Sequence, residues 1–115
     1  MVLTEFNTVG TGQLIIFVHG VGLDRFMWCP VVDELKQEFT CVTFDLLGHG
    51  QAPDIEETAS LKKFTERLLN LIEKFQPVKP ILVGFSLGAM VEKRFVIDNP
   101  NLVKALIVTH SVFNR

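Results

Sequence analysis

The chain has little of several things, and each shortage excludes a class of protein. Apolar runs are short: Leu14-Ile15-Ile16-Phe17-Val18 has the length of a buried strand, well under what a membrane span needs. The N-terminal Met1-Val2-Leu3-Thr4-Glu5-Phe6 lacks the basic patch and apolar stretch of a secretory leader. A soluble, reducing, cytoplasmic setting is therefore expected, with no membrane as partner. Cysteine occurs only twice, at Cys29 and Cys41, without metal-ligand spacing and among apolar neighbours. Both are expected to be small buried hydrophobes, not disulfide partners, and no metal is expected. Neither sign of charge dominates: 11 Lys+Arg against 13 Asp+Glu leave a net charge of -2, which gives no footprint for nucleic acid or an anionic surface. Repeats, low-complexity stretches and linkers are missing too, so residues 1–115 read as a single domain or part of one.

What is present points to a globular core. Hydrophobic residues make up 48% and charged residues 21%, and a chain of 115 residues buries about two-thirds of its surface on folding. The pattern alternates strand and helix. Leu14–Val18 is apolar throughout, as in a strand covered on both faces. A helix is expected from Pro30, a favoured first-turn residue, through Val31 and Leu35 toward Phe39. Cys41-Val42-Thr43-Phe44-Asp45 reads as the next strand, closed by the turn Leu46-Leu47-Gly48-His49-Gly50. Ser60 is placed to cap an amphipathic helix with Leu61, Phe64, Leu68, Leu71, Ile72 and Phe75 on one face, ended by Pro77 and Pro80. Ile81–Val83 is a third strand, followed by a helix from about Leu87 to Asn99-Pro100, and Lys104–Thr109 is a fourth. Val2–Phe6 is read as a short antiparallel addition. The expected class is α/β: a mostly parallel sheet with helices on both faces.

In such sheets functional groups collect beyond the carboxyl ends of the strands. Four segments fall there: His19-Gly20-Val21-Gly22, Asp45–Gly50, Ser86 and His110-Ser111. The strongest is Gly84-Phe85-Ser86-Leu87-Gly88, a G-x-S-x-G between a strand and a helix. A serine hydroxyl attacks carbonyls only with a base in reach and donors for the developing oxyanion. A tight strand-to-helix turn lifts Ser86 above the sheet, with Gly84 and Gly88 where the chain passes too close for a Cβ. The N–H of Leu87 lies at a helix N-terminus, where unpaired donors favour negative charge. The plain alternative is a glycine-containing turn that carries a serine. Likewise His19–Gly22 is either a loop that swings the Val21 N–H toward an oxyanion or an ordinary glycine-rich turn.

His19-Gly20, then Trp28, then Asp45-Leu46-Leu47-Gly48-His49-Gly50, then Gly84–Gly88, in this order, resemble the α/β-hydrolase fold superfamily, and more narrowly its esterase, enol-lactonase and C–C-bond hydrolase branch. The resemblance covers nearly the whole chain. It implies Ser86 as nucleophile, Val21 and Leu87 as oxyanion-hole donors, a small carbonyl substrate and no metal or organic cofactor; a haloperoxidase or lyase on the same fold is also compatible with it. The family order places an acid and then a histidine after the nucleophile, and neither has a matching position before Arg115, so the chain is read as the N-terminal portion of such a domain, without its cap and later strands. Asp45, His49 and His19 look like loop-organising residues. His110, ending the strand beside that of Ser86, reads as a solvent-facing residue at a strand end, and is also the candidate base within the chain. Loss of the base from a serine triad costs on the order of a millionfold in turnover, so these residues alone are expected to be nearly inactive. They are also expected to leave an open edge at Leu106-Ile107-Val108, a place for self-association or a partner. A truncated, non-catalytic product is the contrasting reading.

Overall fold

A computed structural model describes residues 5–46, 49 and 61–109. Its sheet holds β1 (Asn7–Val9), β2 (Gln13–Val18), β3 (Phe39–Thr43), β4 (Ile81–Phe85) and β5 (Ala105–Thr109), in the order β1-β3-β2-β4-β5. β2 pairs in parallel with β3 and β4, β4 pairs in parallel with β5, and β1 alone runs antiparallel, along β3. The connections carry α1 (Cys29–Leu35), α2 (Leu61–Glu73) and α3 (Leu87–Asp98). After β2 the chain moves to one side for β3, then returns to the other for β4, so the carboxyl ends of β2 and β4 lie at the point where the strand order reverses. Sites of open α/β sheets gather at that crevice.

Alternation along β2 builds the two halves of the core. Leu14, Ile16 and Val18 join Phe64, Leu68, Leu71 and Ile72 of α2 and Val91 and Phe95 of α3. Ile15 and Phe17 point to the opposite face with Trp28 and Cys41, where the Phe17 and Trp28 rings lie 5.0 Å apart. Helices therefore cover both faces, which is why an uninterrupted apolar run suits this strand.

The element order follows the sequence pattern, with four corrections. The antiparallel strand is Asn7–Val9, not Val2–Phe6; Glu5 and Phe6 are not in a strand, and residues 1–4 lie outside the described residues. α1 stops at Leu35 because Phe39 is taken into β3, in register with Gln13. β3 accordingly begins at Phe39 and ends at Thr43, two residues ahead of the apolar stretch that pointed to it. Cys41 is buried but Cys29 is exposed: it is the first residue of α1, and no α1 residue is buried. The proposed cap Ser60 lies outside the described residues.

Candidate active site

The turn after β4 has an unusual backbone. Ser86 has φ 55° and ψ -112°, and among the described residues it is the only non-glycine with positive φ. A side chain is strained there, and three contacts hold it. Its N–H donates to the carbonyl of Thr109 at 3.1 Å, its carbonyl accepts from Met90 N–H at 3.1 Å, and the Thr109 hydroxyl donates to the Gly84 carbonyl at 3.2 Å. β5 and α3 thus clamp the turn from both ends. Close approach explains the flanking glycines. A Cβ on Gly88 would lie 2.7 Å from the His19 carbonyl oxygen and nearer still to that of Val18, and one on Gly84 would overlap the Ala89 amide nitrogen at 2.8 Å. Leu87 opens α3, and Ser86 makes no side-chain capping bond, so the first amides of the helix have no cap from its hydroxyl.

The loop after β2 packs on this turn. A Cβ on Gly20 would stand 2.7 Å from the Phe85 ring and 3.3 Å from the Phe85 carbonyl oxygen. Leu23 N–H donates to the Gly20 carbonyl at 3.2 Å, closing a four-residue turn with Gly22 at φ 75°, the positive value that the third position of a type II turn requires. Val21 occupies the second position and is 68% exposed; the closing bond of the turn does not use its N–H. The sequence candidates Val21, Gly20, Gly84, Ser86, Leu87 and Gly88 therefore belong to one neighbourhood. His110 lies outside the described residues, as do Leu47, Gly48 and Gly50.

His19 is fully buried and ties this loop to the one after β3. Its Nε2 accepts the Leu46 N–H at 3.0 Å, which places the proton on Nδ1, 2.8 Å from the Gly20 carbonyl oxygen it donates to. The ring lies 5.0 Å from that of His49. Burial lowers the His19 pKa; the Gly20 bond opposes this, His49 lowers it further, and Asp45 and Asp24 raise it. A lowered folded value means that the stability held by neutral His19 is present above the ordinary imidazole value of about 6.5 and is lost as pH falls through the folded value. His19→Ala, which leaves the buried Leu46 N–H without its acceptor, is expected to cost about 1–3 kcal/mol. Urea unfolding above and below that pH should show the cost shrinking on the acid side.

Asp45 anchors the other wall. It is buried, its Oδ1 accepts Arg25 N–H at 2.8 Å, and its Oδ2 binds the Arg25 guanidinium. Its carbonyl accepts Arg67 Nε at 2.9 Å, which accounts for an arginine on the inward face of α2. Asp45 and His19 thus organise loops. The sequence reading passed over Arg25, Arg67 and Thr109, since only tertiary contact assigns their partners. It also passed over Glu92, fully buried on α3. A signal for it existed: Glu92 is three residues from both Ala89 and Phe95 and four from Gly88, all inward-facing positions.

The family model for the alpha/beta hydrolase fold matches residues 13–114, and the chain belongs to that family. Curated relatives include (E)-2-((N-methylformamido)methylene)succinate hydrolase of Acinetobacter baylyi, 26% identical over 106 residues, which cover 92% of this chain and 40% of that protein. Pimeloyl-[acyl-carrier protein] methyl ester esterase of Pseudoalteromonas atlantica is 32% identical over 103 residues, 89% of this chain and 38% of that one. Among solved structures, a thermophilic esterase from Thermogutta terrifontis superposes with a TM-score of 0.85 at 31% identity, covering 90% of this chain and 39% of the esterase. The chain thus spans about 40% of the length of the first of these relatives. Among the described residues no helix is long and apolar enough to cross a membrane.

Proposed function

We propose that the chain carries the nucleophile and oxyanion hole of a serine hydrolase acting on an ester, lactone or similar carbonyl. The observation that carries this reading is the strained Ser86 turn, φ 55° between β4 and α3, with the glycine loop after β2 packed against it. In this reading Ser86 Oγ attacks the substrate carbonyl carbon while its proton passes to a base. The carbonyl oxygen becomes an oxyanion, received by the N–H groups of Val21 and Leu87; the alcohol leaves, and water later releases the acyl group from Ser86. His19 is not that base, because both of its ring nitrogens are engaged. Asp45 is likewise engaged, by Arg25. His110, directly after β5, is the candidate by position. The two curated relatives are hydrolases by name, one of them of a methyl ester, which agrees with carbonyl hydrolysis as the class.

A fluorophosphonate probe tests this directly. The expected product is a single phosphonyl adduct on Ser86, formed slowly because these residues alone are expected to be nearly inactive, found by intact mass and peptide mapping and missing from Ser86→Ala. No adduct on a chain shown by circular dichroism to be folded overturns serine-hydrolase chemistry in these 115 residues.

One observation favours a second reading, a non-catalytic chain that depends on association. Among the described residues β5 pairs only with β4, and Ile107 is 52% exposed on it. That reading requires association that grows with concentration in sedimentation together with an unlabelled Ser86. A labelled monomer rules it out.

A further inference from the structure

Glu92 is the buried group that the proposed chemistry leaves unused. Its side chain is fully buried, and neither carboxyl oxygen has a hydrogen-bond partner among the described residues. Such a group is costly in an apolar layer, so its position needs a reason. The carboxyl lies directly beneath Gly84: a Cβ on that glycine would overlap Glu92 Oε1. On its other side Gly84 is held by β5, through the Thr109 hydroxyl on its carbonyl and the pairing of Gly84 with Val108. The strand end that launches Ser86 is therefore gripped laterally by β5 and supported from below by Glu92.

We propose that Glu92 is a positioning residue for the Ser86 turn, its carboxyl wedged between α3 and Gly84 so that it sets the separation of helix start from strand end and the direction of the Ser86 and Leu87 N–H groups. The wedge works as an uncharged group. Burial alone raises the carboxyl well above the ordinary carboxylate value, and charged neighbours do not compensate it. Arg67, the only charged residue on the buried face of α2, is bound to the Asp45 carbonyl. His19, after β2, is bound to Gly20 and Leu46. Lys104, ahead of β5, is bound to Gln13. On α3 itself Arg94 pairs with Asp98 at the surface, and Lys93 is exposed. A raised folded value means that the stabilising contribution is fully present below the ordinary carboxylate range and is lost as pH rises through the folded value. Ionisation would put an uncompensated charge beneath the turn.

Backbone amide NMR of the chain through a pH titration, with Glu92→Gln and Glu92→Ala alongside, tests the wedge. In the unaltered chain the Gly84, Ser86 and Leu87 amides are expected to shift together, at the midpoint of the Glu92 carboxyl carbon and above the ordinary carboxylate range. Glu92→Gln should keep the low-pH positions of these amides with no such titration. Glu92→Ala should displace them at every pH, and if it fails to fold, Glu92→Gln decides alone. Should raised pH unfold the unaltered chain first, survival of Glu92→Gln at that pH supports the wedge and equal loss overturns it. A carboxyl carbon titrating in the ordinary range, turn amides that stay still while it titrates, or the same titration in Glu92→Gln also overturns it. These amides report the backbone whether or not Ser86 takes a phosphonyl group, so failure of the wedge and failure of the nucleophile are separate results.

Discussion

Ser86→Ala is expected to lower the turnover of an activated ester by about a millionfold in any preparation of this protein that cleaves one, because on the proposed mechanism it removes the nucleophile and leaves only binding and oxyanion stabilisation. Its unfolding midpoint should hardly move, since alanine has a Cβ and keeps the strain at φ 55°. Ser86→Gly separates the two properties. Strain of this kind costs about 1–3 kcal/mol, and glycine returns about 0.5–1 kcal/mol of that through the entropy of the unfolded chain. The glycine variant is therefore expected to be as inactive as the alanine one, yet more stable than the unaltered chain by about 1 kcal/mol, the difference between those two effects. Initial rates with an activated ester and urea unfolding of all three proteins check this. Activity that survives in Ser86→Ala removes Ser86 from the mechanism; a glycine variant that is no more stable removes the strain argument.

Asp45→Ala carries the largest expected loss of stability. The carboxylate is 3% exposed and its partner Arg25 14%, so both charges are largely out of water. Removing one member of a buried pair typically costs about 3–5 kcal/mol. Arg25 keeps a route to solvent, which places the expected loss near the lower end, about 3 kcal/mol. The Arg25 amide also loses its acceptor. Asp45→Asn, which retains an acceptor oxygen, should lose less. Urea unfolding gives both values, and a loss within about 0.5 kcal/mol, the usual size for an exposed pair, would show that the pair is effectively solvated.

Most of the architecture could be read before any contact was known, because its signals are local. The apolar run Leu14–Val18 marks the doubly covered central strand, the three-four spacing of Phe64, Leu68, Leu71 and Ile72 marks the buried face of α2, and Gly84–Gly88 marks the sharp turn. The errors fall where pairing overrides local preference. Phe39 reads as the end of a helix but is drawn into β3 by its register with Gln13. Phe44 and Asp45 read as strand but leave the ladder, and Asp45 meets Arg25 there. Cys29 looks apolar by its neighbours, yet its place at the start of α1 leaves it exposed.

The sequence by itself determined the α/β class, the order of the elements from β2 onward and the turn that presents Ser86, since hydrophobic period and the need for glycine are carried by residues close together in the chain. Only the tertiary structure decided how that turn is held. The Thr109 hydroxyl reaches Gly84 across 25 residues, the Leu46 amide settles the His19 proton across 27, and Glu92 becomes a buried wedge because α3 lies against Gly84. The physical reason is that hydrogen-bond partners and burial belong to pairs of distant residues brought together by packing, and no local pattern specifies which pair will meet.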